Sequence, residues 1–141
     1  MLADPAFREE VCRAQNVRSV DAAVDVSGDR MTVRVEQTQP ADGIPGFARK
    51  FVGEEIRIVT VEEWSDHTAA ALDVQIPGKP GRMTGSLRLE PKGSTTVETI
   101  DGELTVNIPL VGGKLEKLIA ELFTDAMKAE ERVGRRWLGG A

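Results

Sequence analysis

The chain has one cysteine, one histidine and no tyrosine. A lone cysteine, Cys12, excludes an internal disulfide and fits a reducing compartment, so a cytoplasmic location is expected. One histidine beside one cysteine excludes a metal-ligand set of the usual spacing. No apolar run approaches the ~18–20 residues needed to span a bilayer. The opening Met1-Leu2-Ala3-Asp4-Pro5 has neither a basic nor an apolar signal region. Positive charge is also short: 18 Lys and Arg stand against 23 Asp and Glu, a formal charge of −5. That balance argues against nucleic acid, because phosphate binding needs clustered cations. The one basic cluster, Arg132 to Arg136, falls where it complements the negative end of a terminal helix.

The catalytic inventory is equally thin. His67 follows Asp66 in a polar turn between two strands, and a solvated turn explains the pair more simply than a general base does. Cys12 reads as a half-buried packing residue. Ser94-Thr95-Thr96 has no basic partner nearby in sequence. The glycines match neither a dinucleotide fingerprint nor a phosphate loop. No catalytic residue, metal or cofactor is therefore assigned.

What the chain does have is periodicity. Asp4 and Pro5 suit the start of a short helix on which Phe7 and Val11 stack one turn apart. Val20 to Val26 and Met31 to Val35 alternate with polar residues around Ser27-Gly28-Asp29, which predicts a hairpin. Further strands are expected over Glu54–Trp64, Ala70–Ile76, Met83–Leu89 and Thr95–Ile108. The last of these changes apolar parity partway, from Val97 and Thr99 to Leu104, Val106 and Ile108. A bulge near Asp101-Gly102 would absorb that shift. From Lys114 to about Leu138, apolar residues recur three or four apart. At ~1.5 Å per residue this helix is on the order of 35–40 Å long, enough to cross a small sheet. The reading is one α+β domain over residues 1–141, a curved six-stranded antiparallel sheet wrapped around a long C-terminal helix.

Such a sheet and helix enclose either a solid core or a cavity. On the cavity reading its wall is Leu72, Val74, Met83, Leu87, Val106, Leu118, Leu122, Phe123 and Met127. Small inward residues at Ala70 and Gly85 would leave space. If Ile56, Ile58 and Thr60 face inward, strand parity places Glu62 and Trp64 on that side too. Glu62 would then be desolvated and its pKa raised, unless the strand end twists it out to water. Between Gln39 and Gly53, prolines and glycines forbid a regular strand. Phe47 and Phe51 in that segment either plug one end of the core or form a lid.

The strand-rich middle, the run Ile108-Pro109-Leu110-Val111-Gly112-Gly113-Lys114-Leu115-Glu116-Lys117 and the terminal helix together resemble the START-like (SRPBCC, helix-grip) superfamily. More narrowly, Pro45-Gly46-Phe47 and Glu62-Glu63-Trp64 make the chain similar to an actinobacterial branch, a domain of unknown function. The superfamily has seven strands, and the first, which pairs with the last β segment, has no counterpart before Met1. The resemblance therefore implies a missing edge strand and a start assigned too far downstream or a truncated chain. It also implies a non-enzymatic protein that binds a small hydrophobic molecule such as a lipid, sterol or polyketide. Two alternatives come with it: a polyketide cyclase or dehydratase-like enzyme, and a co-chaperone-like interaction module.

Overall fold

The computed structural model describes residues 1–141 except Asn16, Asp42, Gly43, Pro80, Pro109, Gly140 and Ala141, and only the backbone at Phe51 and Val52. Helix α1 (Pro5–Arg13) leads into strands β1 (Ser19–Ser27) and β2 (Arg30–Pro40). A short α2 (Gly46–Val52) precedes β3 (Glu55–Trp64), β4 (Ala69–Gln75), β5 (Gly81–Lys92) and β6 (Thr95–Val106). Helix α3 (Gly112–Trp137) completes the order. The strands form one six-stranded antiparallel sheet in sequence order, with β1 and β6 at its edges. Curved over a long C-terminal helix, this is an α+β arrangement consistent with a helix-grip fold. No helix among the described residues is long and apolar enough to cross a membrane.

Local sequence accounts for the starts and turns. The Asp4 carboxylate accepts the Ala6 amide hydrogen at 2.9 Å and caps α1, with Pro5 supplying the fixed φ of a first helical residue. Gly28 takes φ 61° in the β1–β2 turn, so Ser27 pairs directly with Arg30. Helix α3 begins two residues earlier than the apolar periodicity indicated, taking in Gly112 and Gly113. A Cβ on Gly112 would lie 2.7 Å from the Val106 carbonyl oxygen, so the helix start fits against the end of β6 only with glycine there.

The expected bulge in the last strand is absent. Pairing runs unbroken from Gly81–Val106 to Lys92–Thr95, and Gly85 stands opposite Gly102. Parity never shifts: Glu98, Ile100, Gly102 and Leu104 share the face of their partners Leu89, Leu87, Gly85 and Met83. Val97, expected inward, is 40% exposed. A Cβ on Gly85 would fall 2.1 Å from the Asp101 carbonyl oxygen, so the space it leaves is filled by backbone and not by a cavity.

The core lies in three linked parts. Between sheet and helix, Val33, Val35, Trp64, Ala70, Leu72, Met83 and Leu87 are buried, with Phe123 packed against them. Phe7 and Val11 of α1 meet Val133 near the C-terminal end of α3. At the other end Ala48 of α2 packs with Val106 and Leu115, joined by Leu118 and Ile119. Helix α3 thus rests on α1, on the sheet and on the α2 region along its length.

Candidate functional site

Strand alternation turns Thr60 and Glu62 toward the helix side of the sheet. Arg8 and Cys12 reach the same space from α1, one turn apart. Phe123, Ala126, Met127 and Glu130 reach it from α3 at the spacing of one helical face, and Glu98 and Ile100 from β6. Together they surround a cavity of about 100 Å3, apolar at Leu72, Leu87, Ile100 and Phe123 and ionisable at Arg8, Glu62, Glu98 and Glu130.

Arg8 and Glu62 form a bidentate ion pair, with Nη1 to Oε2 and Nη2 to Oε1 each 2.9 Å. They are only 6% and 8% exposed. Trp64 Nε1 donates to Glu62 Oε1 at 2.9 Å, and Arg8 Nε donates to the Leu2 carbonyl at 2.8 Å. Charged groups taken this far from water persist only when their hydrogen bonds are met. Each nitrogen of the Arg8 guanidinium has a partner here.

Glu98 and Glu130 form the second half of the ionisable end. Burial pushes the Glu98 carboxyl up to about 9; the charge of Glu130 and the hydrogen bond with it add to the rise, as does the charge of Glu62, and Arg8 opposes it. Glu98 is therefore a protonated acid at neutral pH, hydrogen-bonded to Glu130. Glu130 Oε1 is buried, and the carboxyl proton of Glu98 is the donor at hand for this carboxylate. Burial also raises the Cys12 thiol to about 11, which keeps it protonated and a poor nucleophile.

The residues expected on a cavity wall divide. Thr60, Glu62, Leu72, Leu87, Phe123 and Met127 line this cavity; Ile58, Val74, Met83, Val106, Leu118 and Leu122 do not. Leu122 is 43% exposed on the solvent side of α3. Leu118 and Val106 belong to the core near α2, and Met83 is buried against the sheet core. Phe47 is 39% exposed on α2 and does not line this cavity; the Phe51 side chain lies outside the described residues. His67 contacts Asp29 at 3.3 Å with both side chains exposed, while Asp66 accepts hydrogen bonds from the Thr68 and Ala69 amides. Ionisable partners for Glu62 were not foreseen. Arg8 is the one basic residue between Phe7 and Val11, and Glu130 follows Phe123 by two helical turns, a signal that helical phase alone could have supplied.

A larger depression of about 570 Å3 lies on the opposite face of the sheet, around Val59, Val61 and Ala71. Its ion pairs are exposed ones: Arg57 and Arg34 both hydrogen-bond Glu36 and hold it below the usual carboxylate range, and Arg82 does the same to Asp73. The buried ionisable groups are in the smaller cavity. Among the described residues no three of His, Cys, Asp and Glu stand together as metal ligands.

Sheet, helix and cavity define a helix-grip-like α+β protein with an ionisable pocket under its C-terminal helix. Residues 1–138 match the family described as "Protein of unknown function (DUF2505)", and the chain belongs to that family. Its fold is similar to that in the crystal structure of TTHA0849 from Thermus thermophilus, with a TM-score of 0.55 and 22% identity over 92% of this chain and 87% of that one. No curated protein matches it.

Proposed function

We propose that this protein binds a small molecule in the pocket between the sheet and α3, as a START-like protein of a reducing compartment. The ligand's apolar part lies against Leu87, Ile100 and Phe123, and its polar part meets Glu98 and Glu130. One observation carries the reading: ionisable groups from α1, β3, β6 and α3 converge on one partly apolar cavity. Ionisable groups gathered from four elements onto one cavity, with burial raising the pKa of one of them, are the arrangement expected of a binding site. The expectation of a wholly hydrophobic ligand is narrowed to an amphipathic one. The volume sets its scale, since a cavity of ~150 Å3 admits a benzene ring.

A second reading, acid–base catalysis of the cyclase or dehydratase kind, is favoured by one specific feature. Glu98 holds a proton at neutral pH beside a carboxylate, an arrangement that can donate to a leaving oxygen and recover the proton. Native mass spectrometry of protein purified from its own host tests the binding reading. A co-purifying molecule that is lost from a Phe123→Ala variant of unchanged fold supports it. Retention by that variant, or no adduct together with no cavity-specific response in a fragment screen, refutes it.

A further inference from the structure

We propose that the end of the molecule formed by α2 and the start of α3 docks on an anionic lipid surface, with Leu110 and Phe47 entering it. This end shares no lining residue with the ionisable pocket, and its role does not depend on that pocket being occupied. Leu110 is fully exposed, and among the described residues it is the one non-glycine in the left-handed region, at φ 71°. That backbone is costly for any residue with a Cβ. No burial of the Leu110 side chain offsets the cost. A strained residue held fully in solvent points to a contact outside the chain.

The surroundings decide which contact. Pro40 pairs with Glu55, Gln75 with Arg82 and Gly81 with Val106, so α2, the β4–β5 turn and the β6–α3 turn leave the sheet at one end. Ala48 of α2 packs there with Val106 and Leu115, beside the exposed Phe47. The exposed cations of these segments are Arg49 and Lys50 on α2, Lys79 in the β4–β5 turn, and Lys114 and Lys117 on α3. Their described acids are Glu54, Glu55 and Glu116. Of these, Glu55 is paired with Arg18 at 2.6 Å, and Glu116 accepts the Val106 amide at 3.4 Å. A chain of formal charge −5 thus presents a cationic end, complementary to anionic headgroups. A protein partner would need a contiguous apolar patch. Leu110 and Phe47 are instead separate tips on two elements among basic residues, which suits a fluid surface that closes around each tip.

The test floats the full chain with vesicles of phosphatidylcholine, alone or with phosphatidylserine at about 30%. Binding to the anionic vesicles is expected to be about tenfold stronger than to the neutral ones and to weaken as salt rises. Lys114→Ala and Lys117→Ala should each weaken it about fivefold. Leu110→Asn should weaken it about tenfold, because the apolar insertion is lost. Asparagine tolerates left-handed backbone, so this variant should melt no lower than wild type. Equal binding to both vesicles, no binding to either, or binding unchanged by Leu110→Asn overturns the proposal. So does a Leu110→Asn protein that melts below wild type, since the leucine would then be packed for stability. Self-association that Leu110→Asn abolishes, in place of vesicle binding, assigns the residue to a protein contact and overturns it as well. A co-purifying pocket ligand is read separately and survives each of these failures.

Discussion

Replacing Glu98 with glutamine should stabilise the protein, and increasingly so as pH rises. The Glu98 carboxyl has an ordinary value of 4.5 and is raised to about 9 in the folded chain, chiefly by burial. Between those values the folded state holds the proton and the unfolded state releases it. Stability therefore falls as pH climbs through the window, is unaffected by this group below 4.5, and levels off above about 9. Each unit of separation is worth about 1.4 kcal/mol, so a site wholly cut off from water would lose about 3.4 kcal/mol by pH 7. Glu98 is only partly buried, and solvent reaching it reduces the loss to about 1–2 kcal/mol. The Glu98→Gln side chain reproduces the protonated acid: it is neutral and its amide donates to Glu130. Urea denaturation of both proteins at pH 5, 6, 7 and 8 separates the effect from every other titrating group. The two stabilities should nearly coincide at pH 5 and diverge by about 2 kcal/mol at pH 8, a midpoint shift of roughly 1 M urea. A constant offset at all four pH values, or a variant weaker than wild type at pH 8, would refute the reasoning.

The Arg8–Glu62 pair should behave as a unit. Arg8→Met leaves Glu62 buried with only the Trp64 indole and should cost about 3–5 kcal/mol, whereas Arg8→Met combined with Glu62→Met should cost less than that single change, as read by a double-mutant cycle in chemical denaturation. Adjacent glycines at the start of α3 should respond in opposite directions. Gly113→Ala meets nothing within 4 Å and should raise stability by up to about 1 kcal/mol, whereas Gly112→Ala drives a Cβ to 2.7 Å from the Val106 carbonyl and should lower the melting temperature. Iodoacetamide should label Cys12 slowly in the native protein at pH 8, since its thiol is buried and raised to about 11; labelling as fast as in the unfolded chain would contradict that placement.

How far the sequence could be read follows from which residues repeat. Period-two alternation marked the strands and their turns because each strand has one face toward the helix, and Ile56, Leu72 and Leu87 all fall on that face. The last strand misled for a physical reason. Val97 is apolar yet exposed, and Glu98 is ionisable yet faces inward, so hydrophobicity alone inverted the local parity and suggested a bulge. The pairing brings Gly85 opposite Gly102, where the backbones approach too closely for a Cβ on Gly85, a cross-strand coincidence invisible until the register is known. Glu62 came within reach through parity, but the guanidinium that meets it lies 54 positions away on another element. Long-range charge pairing leaves no local pattern, so the ionisable end of the pocket was the least legible part of the fold.

The same short helix that supplies Arg8 also ties the pocket to the fold. Helix α1 has nine residues, too few to be stable alone, so its position depends on what it touches. Phe7 packs edge-on against Trp137, with ring centroids 5.5 Å apart, and Glu10 accepts hydrogen bonds from Trp137 and Arg136. These contacts hold α1 to the end of α3. Arg8, on the inner face, holds it to β3 through Glu62. The two contacts hold α1 independently, one to α3 and one to β3. The placement of α1 and the ionisation of the pocket's carboxyls therefore both depend on Arg8, because its charge opposes the rise of Glu98 and its hydrogen bonds tie α1 to β3.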